Sequence, residues 1–165
     1  MIRYAEATKE DILGIIQVMK NTGYIDFAYK GMKDKEIEKD ISKSKDTYLV
    51  CYESQPKKII GYFIFSNVKN HLKEAREHTS INNQYAYHLG IGIHSSFREK
   101  KIGKKLTKYA LKKAKEKFNG MYADVASNNI PSIKLQESTG FKKIAEYNSK
   151  KRIKGIKNIL YVKHF

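Results

Sequence analysis

Ile91-Gly92-Ile93-His94-Ser95-Ser96-Phe97-Arg98-Glu99-Lys100-Lys101-Ile102-Gly103-Lys104-Lys105-Leu106 is the stretch whose reading settles the architecture. An apolar run ends at Ile93, a polar turn follows, and a helix opens around Gly103. The first amides of a helix lack intrahelical partners, and its dipole is positive at that end. A residue without a side chain there lets a pyrophosphate come close, while Arg98, Lys100 and Lys101 add charge. The same stretch also reads as an ordinary strand-to-helix turn with a solvated basic face. Two other phosphate motifs fail. A Walker loop ending at Gly103-Lys104 needs glycine in place of Arg98 and Ser or Thr in place of Lys105, and a dinucleotide fingerprint opening at Gly90 needs glycine in place of Ser95.

Residues 85–93 read as a strand and 102–118 as a helix with Ile102, Leu106, Tyr109, Ala110, Ala114 and Phe118 near one stripe. Downstream come a strand at 121–125, then a helix with Pro131 in its first turn and Gly140 where a C′ glycine belongs. Strands at 141–147 and 159–162 flank a basic connector. Upstream, a strand at 2–6 leads through Thr8 and Asp11, a capping signal, into an amphipathic helix carrying Ile12, Ile15, Ile16 and Met19. Residues 21–33 read as irregular and aromatic, and 34–43 as a short charged helix with Ile37 and Ile41 on one face. The β-rich runs 48–52 and 59–65 are expected to pair as an antiparallel hairpin. A long polar connection, 67–84, carries one helical turn around 71–77. The expectation is a mixed α/β single domain over residues 1–165, with a mostly antiparallel central sheet flanked by helices and a strand–helix–strand crossover in its second half.

Composition excludes several classes. The 165 residues are 41% hydrophobic and 12% aromatic with two prolines, which argues for a globule and against disorder. One cysteine, Cys51, closes no intrachain disulfide, and no Cys/His cluster has metal-ligand spacing, so no metal is expected. The opening MIRYAEATKEDILGII has no cationic region leading into an apolar core, and no apolar run has the length of a membrane span, so a cytoplasmic protein without membrane contact is expected. Thirty-three Lys plus Arg against seventeen Asp plus Glu give a charge of +16, which favours anionic partners.

At this point the residues resemble a family. Arg98 to Gly103, following a strand, is similar to the acetyl-CoA-binding motif of the GNAT N-acetyltransferase superfamily: Gln or Arg, two residues, Gly, one residue, then Gly or Ala. Downstream, Asn129-Ile130-Pro131-Ser132-Ile133-Lys134-Leu135-Gln136-Glu137-Ser138-Thr139-Gly140-Phe141 resembles that family's Asn, helix, Gly-Phe signature, and Ile2-Arg3 with Glu10-Asp11 looks like its N-terminus. The resemblance covers nearly the whole chain. It implies acetyl-CoA as cosubstrate, with the backbone of Ile91, Gly92 and Ile93 pairing with the pantetheine arm. It also implies that Arg98, Glu99, Lys100, Lys101, Ile102, Gly103 and Lys104 surround the pyrophosphate and that Asn129 lies near the thiol end. On its own, Asn129 reads as a helix N-cap before Pro131. The sequence departs from the pattern twice: Lys101 stands at the first motif glycine, and Gln136 stands where the family commonly has the tyrosine thought to protonate the leaving thiolate. An amide has no proton to give near neutral pH.

Acetylating an amine needs a base. Asp124, five residues before Asn129, is the first candidate, since some family members resembling ribosomal-protein acetyltransferases carry a glutamate there; a surface carboxylate pairing with lysines is the plain alternative. His88 on the strand before the phosphate loop is the rival base. Tyr147 or water is left to protonate the thiolate, or the thiolate leaves unprotonated. Tyr24, Phe27 and Tyr29 are candidate acceptor-binding residues, because the irregular region after the first helix borders the acceptor in the family; such aromatics also staple loops to cores. The sequence therefore reads as an acetyl-CoA-dependent N-acetyltransferase acting on a primary amine of a small molecule or protein by direct attack in a ternary complex. The alternative is a catalytically weakened CoA-binding or basic nucleic-acid-binding module on the same fold. Ten of the twenty residues from Arg98 to Lys117 are Lys or Arg, and Lys150, Lys151, Arg152, Lys154 and Lys157 form a second cluster, so a nucleic-acid or ribosome partner remains open. A monomer or, as in many members of the resembled family, a homodimer is expected.

Overall fold

Thr8 sets the first turn of the chain. Its backbone N–H and its hydroxyl both donate to Asp11 Oδ2, at 2.9 and 3.0 Å. This capping box ends strand β1 (Ile2–Glu6) and leads through a single 3-10 turn into helix α1 (Ile12–Thr22). Asp11 Oδ1 pairs with Lys57 Nζ at 2.6 Å. Burial pushes the Asp11 carboxyl up, yet the bonds from Lys57 and Thr8 outweigh it and hold the group below its ordinary value. Helix α1 buries Ile12, Ile15, Ile16, Val18 and Met19 and stops at Gly23, whose φ of +75° is left-handed. The stretch expected to be irregular is partly helical: α1 runs to Thr22 and a five-residue helix, α2 (Tyr24–Ala28), follows. One and a half turns are too short to show an apolar period in the sequence.

The remaining elements are α3 (Asp34–Lys43), β2 (Thr47–Ser54), β3 (Lys57–Asn67), β4 (Ala86–Ile93), α4 (Ile102–Ala114), β5 (Gly120–Ala126), α5 (Ile130–Ser138), β6 (Lys142–Asn148) and β7 (Lys157–His164). Helix α4 stops four residues before the expected Phe118, whose ring meets Phe65 edge-on at 6.3 Å. The computed structural model describes residues 1–98 and 100–165. It is a mixed α/β protein whose seven strands form one sheet in the order β1-β2-β3-β4-β5-β7-β6. Strand β1 is antiparallel to β2, β4 is parallel to β5, and β7 is antiparallel to both β5 and β6.

By its internal contacts the chain divides into two compact units, residues 1–64 with 90–110 and residues 65–89 with 111–165. The first buries Ile15, Ile16, Met19, Ile37, Leu49, Ile60, Tyr62, Phe63 and Leu106. Cys51 is also fully buried there, and burial pushes its thiol up to about 12. The second is organised on a cluster of Val68, Leu72, Ala75, Tyr85, Tyr122, Tyr147, Leu160 and Val162. The long connection before β4 thus supplies core. Instead of one helical turn it makes two short 3-10 helices, Val68–Asn70 and Ala75–Glu77, whose apolar residues pack under Tyr85 and Tyr122.

Candidate functional site

In the first unit, Asn21 at the end of α1 shapes the loop after β4. Its Oδ1 accepts from Ser95 N–H at 2.7 Å and its Nδ2 donates to Ser95 Oγ at 3.1 Å. The His94 N–H donates to Ile60 O at 2.8 Å, and His94 Nδ1 accepts from Ser96 N–H at 3.3 Å. The loop therefore leaves the strand in a fixed direction and turns back at Lys101. Lys101 has φ of +58°, the left-handed region that glycine adopts without a steric penalty. The residue that stands where the motif has glycine thus holds a backbone conformation that suits glycine. Its carbonyl accepts the Lys105 N–H at 3.1 Å, so α4 begins there with its first amides facing the loop.

Gly103 sits in the first turn of α4. A β-carbon there would meet only Ile93 Cγ1 at 3.7 Å, an ordinary contact, so packing within the protein does not demand glycine at this point. The missing side chain keeps the helix start open. Arg98, Lys100 and Lys101 are exposed around it, with Lys100 Nζ 5.1 Å from the Phe97 ring centroid. Ile102 is buried, Lys104 is half-buried, and Glu99 lies outside the described residues. Ile91, Gly92 and Ile93 end β4, whose ladder with β5 covers Ala86, Tyr87 and His88; the strand runs five residues past that ladder. These features fit an acyl-CoA: extended backbone beyond a ladder, then a bare helix start ringed with cations.

Below β4 lies a tyrosine cluster. A β-carbon at Gly92 would fall 2.6 Å from the Tyr62 ring and one at Gly90 2.8 Å from the Tyr24 ring, so both glycines are required by close approach. The Tyr24 and Tyr62 rings meet edge to face at 5.7 Å, and Phe27 lies 6.3 Å from Tyr24 but is 76% exposed. Tyr29 donates a hydrogen bond to Tyr48. Burial, with Tyr48 and Asp46 nearby, pushes the Tyr24 phenol up to about 12, and burial likewise raises Tyr29 and Tyr62. The structure thus brings Tyr24 and Phe27 together, joins Tyr29 to Tyr48, and adds Tyr62 and Asn21. Sequence reading missed the last three, because Tyr48 and Tyr62 look like ordinary strand aromatics and Asn21 like a loop residue.

The second unit holds Asp124, His88, Tyr147 and Asn129. Asp124 Oδ2 accepts the Tyr147 hydroxyl at 2.9 Å and Asn158 Nδ2 at 3.2 Å. Its other oxygen, Oδ1, is buried and accepts no hydrogen bond from the described residues. Burial raises the Asp124 carboxyl above its ordinary value; Tyr147, Arg152 and Lys151 pull it down without overcoming that, and Glu74 pushes it up. Tyr147 is raised by burial and by Asp124, and its ring stacks on His78 at 5.1 Å and 20°. His88 lies elsewhere: its Nδ1 is 3.2 Å from Gln136 Nε2, and both residues are buried. Asn129 caps α5, its Oδ1 accepting the Ser132 N–H at 3.2 Å. Asn158 and Glu74, which lie beside the carboxylate, carry no signal in the sequence beyond being polar, and Arg152 reads there only as part of a basic cluster.

Among the described residues no group of three or more His, Cys, Asp or Glu could hold a metal ion, and no helix is long and apolar enough to cross a membrane. The sequence matches the model of the acetyltransferase (GNAT) family over residues 14–141. No curated protein sequence matches it. Among solved structures, an N-acetyltransferase from Staphylococcus aureus Mu50 is similar with a TM-score of 0.77 at 20% identity, over 99% of this chain and 98% of that one. Salmonella typhimurium yncA with its cofactor acetyl-CoA is similar with a TM-score of 0.72 at 18% identity, over 99% and 93%. Arabidopsis thaliana NAA60 in complex with acetyl-CoA gives 0.71 at 15% identity, over 100% and 99%.

Proposed function

Because the chain belongs to the GNAT acetyltransferase family, we propose that it transfers the acetyl group of acetyl-CoA directly to a primary amine, with Asp124 as the base. The observation that carries this reading is the carboxylate itself: Tyr147 and Asn158 fix its Oδ2, and burial raises the group above its ordinary value. A base works best when its pKa lies near the operating pH. In the proposed step the amine nitrogen attacks the thioester carbon, the C–N bond forms, the C–S bond breaks, and the nitrogen's proton goes to the Asp124 carboxylate, directly or through water. Asp124 is preferred to His88, whose ring is buried against Gln136. Tyr147 already donates its proton to Asp124, so it orients the base and the departing thiolate takes its proton from water.

By the family resemblance we assign the backbone of residues 91–93 to the pantetheine arm, the first amides of α4 with Arg98, Lys100, Lys101 and Lys104 to the pyrophosphate, and Asn129 to the thiol end. Tyr24, Phe27 and Tyr29, with Tyr48 and Tyr62, border the acceptor. The test is Asp124→Asn. It should lower kcat by ~100-fold or more, the ordinary scale of general-base loss, while leaving the Kd for acetyl-CoA within about twofold; an unchanged pH–rate profile in that variant sinks the assignment.

One observation favours a second reading. Gln136 is fully buried and bonded to His88, so no phenol stands at the usual proton donor's position. A CoA-binding module without turnover would bind acetyl-CoA and release no thiol with any amine offered. Gln136→Tyr would then be inert as well, whereas an active enzyme limited by thiolate protonation should gain from it.

A further inference from the structure

We propose that Arg152 and Asn158 are positioning residues that fix the orientation and set the ionisation of Asp124. The proposal rests on the reading of Asp124 as the base, and it is argued from geometry in the second unit alone. In the ladder of β5 with β7, Asp124 stands opposite Leu160 and Asn158 opposite Ala126, so Asn158 is the diagonal neighbour of Asp124 on one face of the sheet. In the ladder of β6 with β7, Tyr147 stands opposite Asn158. Three neighbouring strands therefore aim a carboxylate, an amide and a phenol at one point.

The amide decides how the carboxylate is held. Asn158 is only 5% exposed and has two ends, one that donates and one that accepts. Arg152 Nε, on the connector before β7, donates to Asn158 Oδ1 at 2.8 Å. A guanidinium has no acceptor, so the carbonyl end must face Arg152 and the NH2 end must face Asp124, where Nδ2 donates to Oδ2 at 3.2 Å. Tyr147 donates to the same oxygen. Both donors converge on Oδ2, while Oδ1 is buried and accepts no hydrogen bond from the described residues, so Asn158 and Tyr147 alone fix how the carboxylate is turned. Without Arg152 the amide is free to turn its carbonyl toward the carboxylate, repelling the ionised form. The charged and titratable groups facing Asp124 are Tyr147 from β6, Arg152 and Lys151 from the connector, and Glu74 from the long connection before β4. Glu74 Oε1 in turn accepts the Lys150 N–H at 3.1 Å, which ties that connection to the connector bearing Arg152.

The experiment follows the Asp124 13Cγ resonance through a pH titration in the unmodified chain and in three variants, with kcat/KM measured alongside. Arg152 is only partly buried, so its replacement keeps the fold. Arg152→Met should move the Asp124 midpoint up by about half a unit or more, and Asn158→Asp, which sets a second carboxylate beside Oδ2, by about one unit or more. Arg152→Lys, which keeps a donor and a charge, should stay near wild type. The Asn158 side-chain amide protons should follow the Asp124 titration in wild type and lose that coupling in Arg152→Met. A midpoint that stays put in both Arg152→Met and Asn158→Asp overturns the proposal. Asp124→Asn separates the two ideas: if it keeps full turnover the base assignment fails, while the resonance data still decide whether Arg152 and Asn158 govern the carboxylate.

Discussion

Lys101 holds a left-handed backbone angle with a full side chain attached. A non-glycine residue in the left-handed region costs roughly 1–2 kcal/mol, and glycine gives back roughly 0.4–1 kcal/mol of that as extra freedom in the unfolded chain. Lys101→Gly is therefore expected to stabilise the protein by ~0.5–1 kcal/mol, or about 1–4 °C in Tm for a chain of this size, whereas Lys101→Ala should be near neutral. Differential scanning calorimetry of the two variants decides it. Asp124 makes the opposite case, a group that costs stability to hold. Its carboxyl is raised in the folded protein, so folding favours the protonated form, and that advantage fades as pH rises through the folded midpoint. Asp124→Asn should accordingly be more stable than wild type at pH 7, with the gap closing toward pH 4, while losing transfer; equal melting curves at pH 7 would contradict the burial account. The family resemblance, through a position five residues before Asn129, singles out Asp124 in the sequence. Its partners Asn158 and Arg152 were invisible, because their relation to it is a diagonal across a ladder whose register no local pattern encodes.

At the scale of elements, α4 and β4 separate glycines kept for packing from glycines kept for a ligand. At Gly90 a β-carbon would strike the Tyr24 ring at 2.8 Å, so Gly90→Ala should destabilise by ~1–3 kcal/mol through overpacking. At Gly103 the space is ordinary, and alanine is the better helix former by ~1 kcal/mol. Gly103→Ala should therefore fold as well as wild type or better while binding acetyl-CoA ~10-fold more weakly, which thermal melts and calorimetric titration would report together. A variant that binds normally would remove Gly103 from the cofactor loop. The longer elements were legible from period, caps and breakers: Thr8 with Asp11, Pro131, and Gly140 with its φ of +89° all mark boundaries found in the structure. The misses are short or context-dependent. Helix α2 is below the length at which an apolar stripe shows, and the connection before β4 packs through Val68, Leu72 and Ala75, three residues spaced among charges.

Over the whole molecule, the +16 charge is unevenly spread along the chain. Residues 24–48 hold six acidic residues (Asp26, Asp34, Glu36, Glu38, Asp40, Asp46) and six lysines (Lys30, Lys33, Lys35, Lys39, Lys43, Lys45), so the excess resides elsewhere. The stretch proposed to border the acceptor is balanced, while the helix proposed to receive phosphates is strongly basic. Raising salt from low to moderate strength should thus raise the Kd of acetyl-CoA severalfold without abolishing one-site saturation, and should change the KM of a neutral-bodied amine little. Binding heat that vanishes with salt would point to unspecific charge attraction and to the module reading.

The product of each turnover is a free sulfhydryl, and the chain's one cysteine sits fully buried with its thiol pushed up to about 12. A thiol is nucleophilic only as thiolate and only when reached, so a chromogenic disulfide added to native enzyme should stay colourless until catalysis begins. Colour is then a direct count of acetyl groups moved, and one slow extra equivalent per chain would record unfolding in the same cuvette.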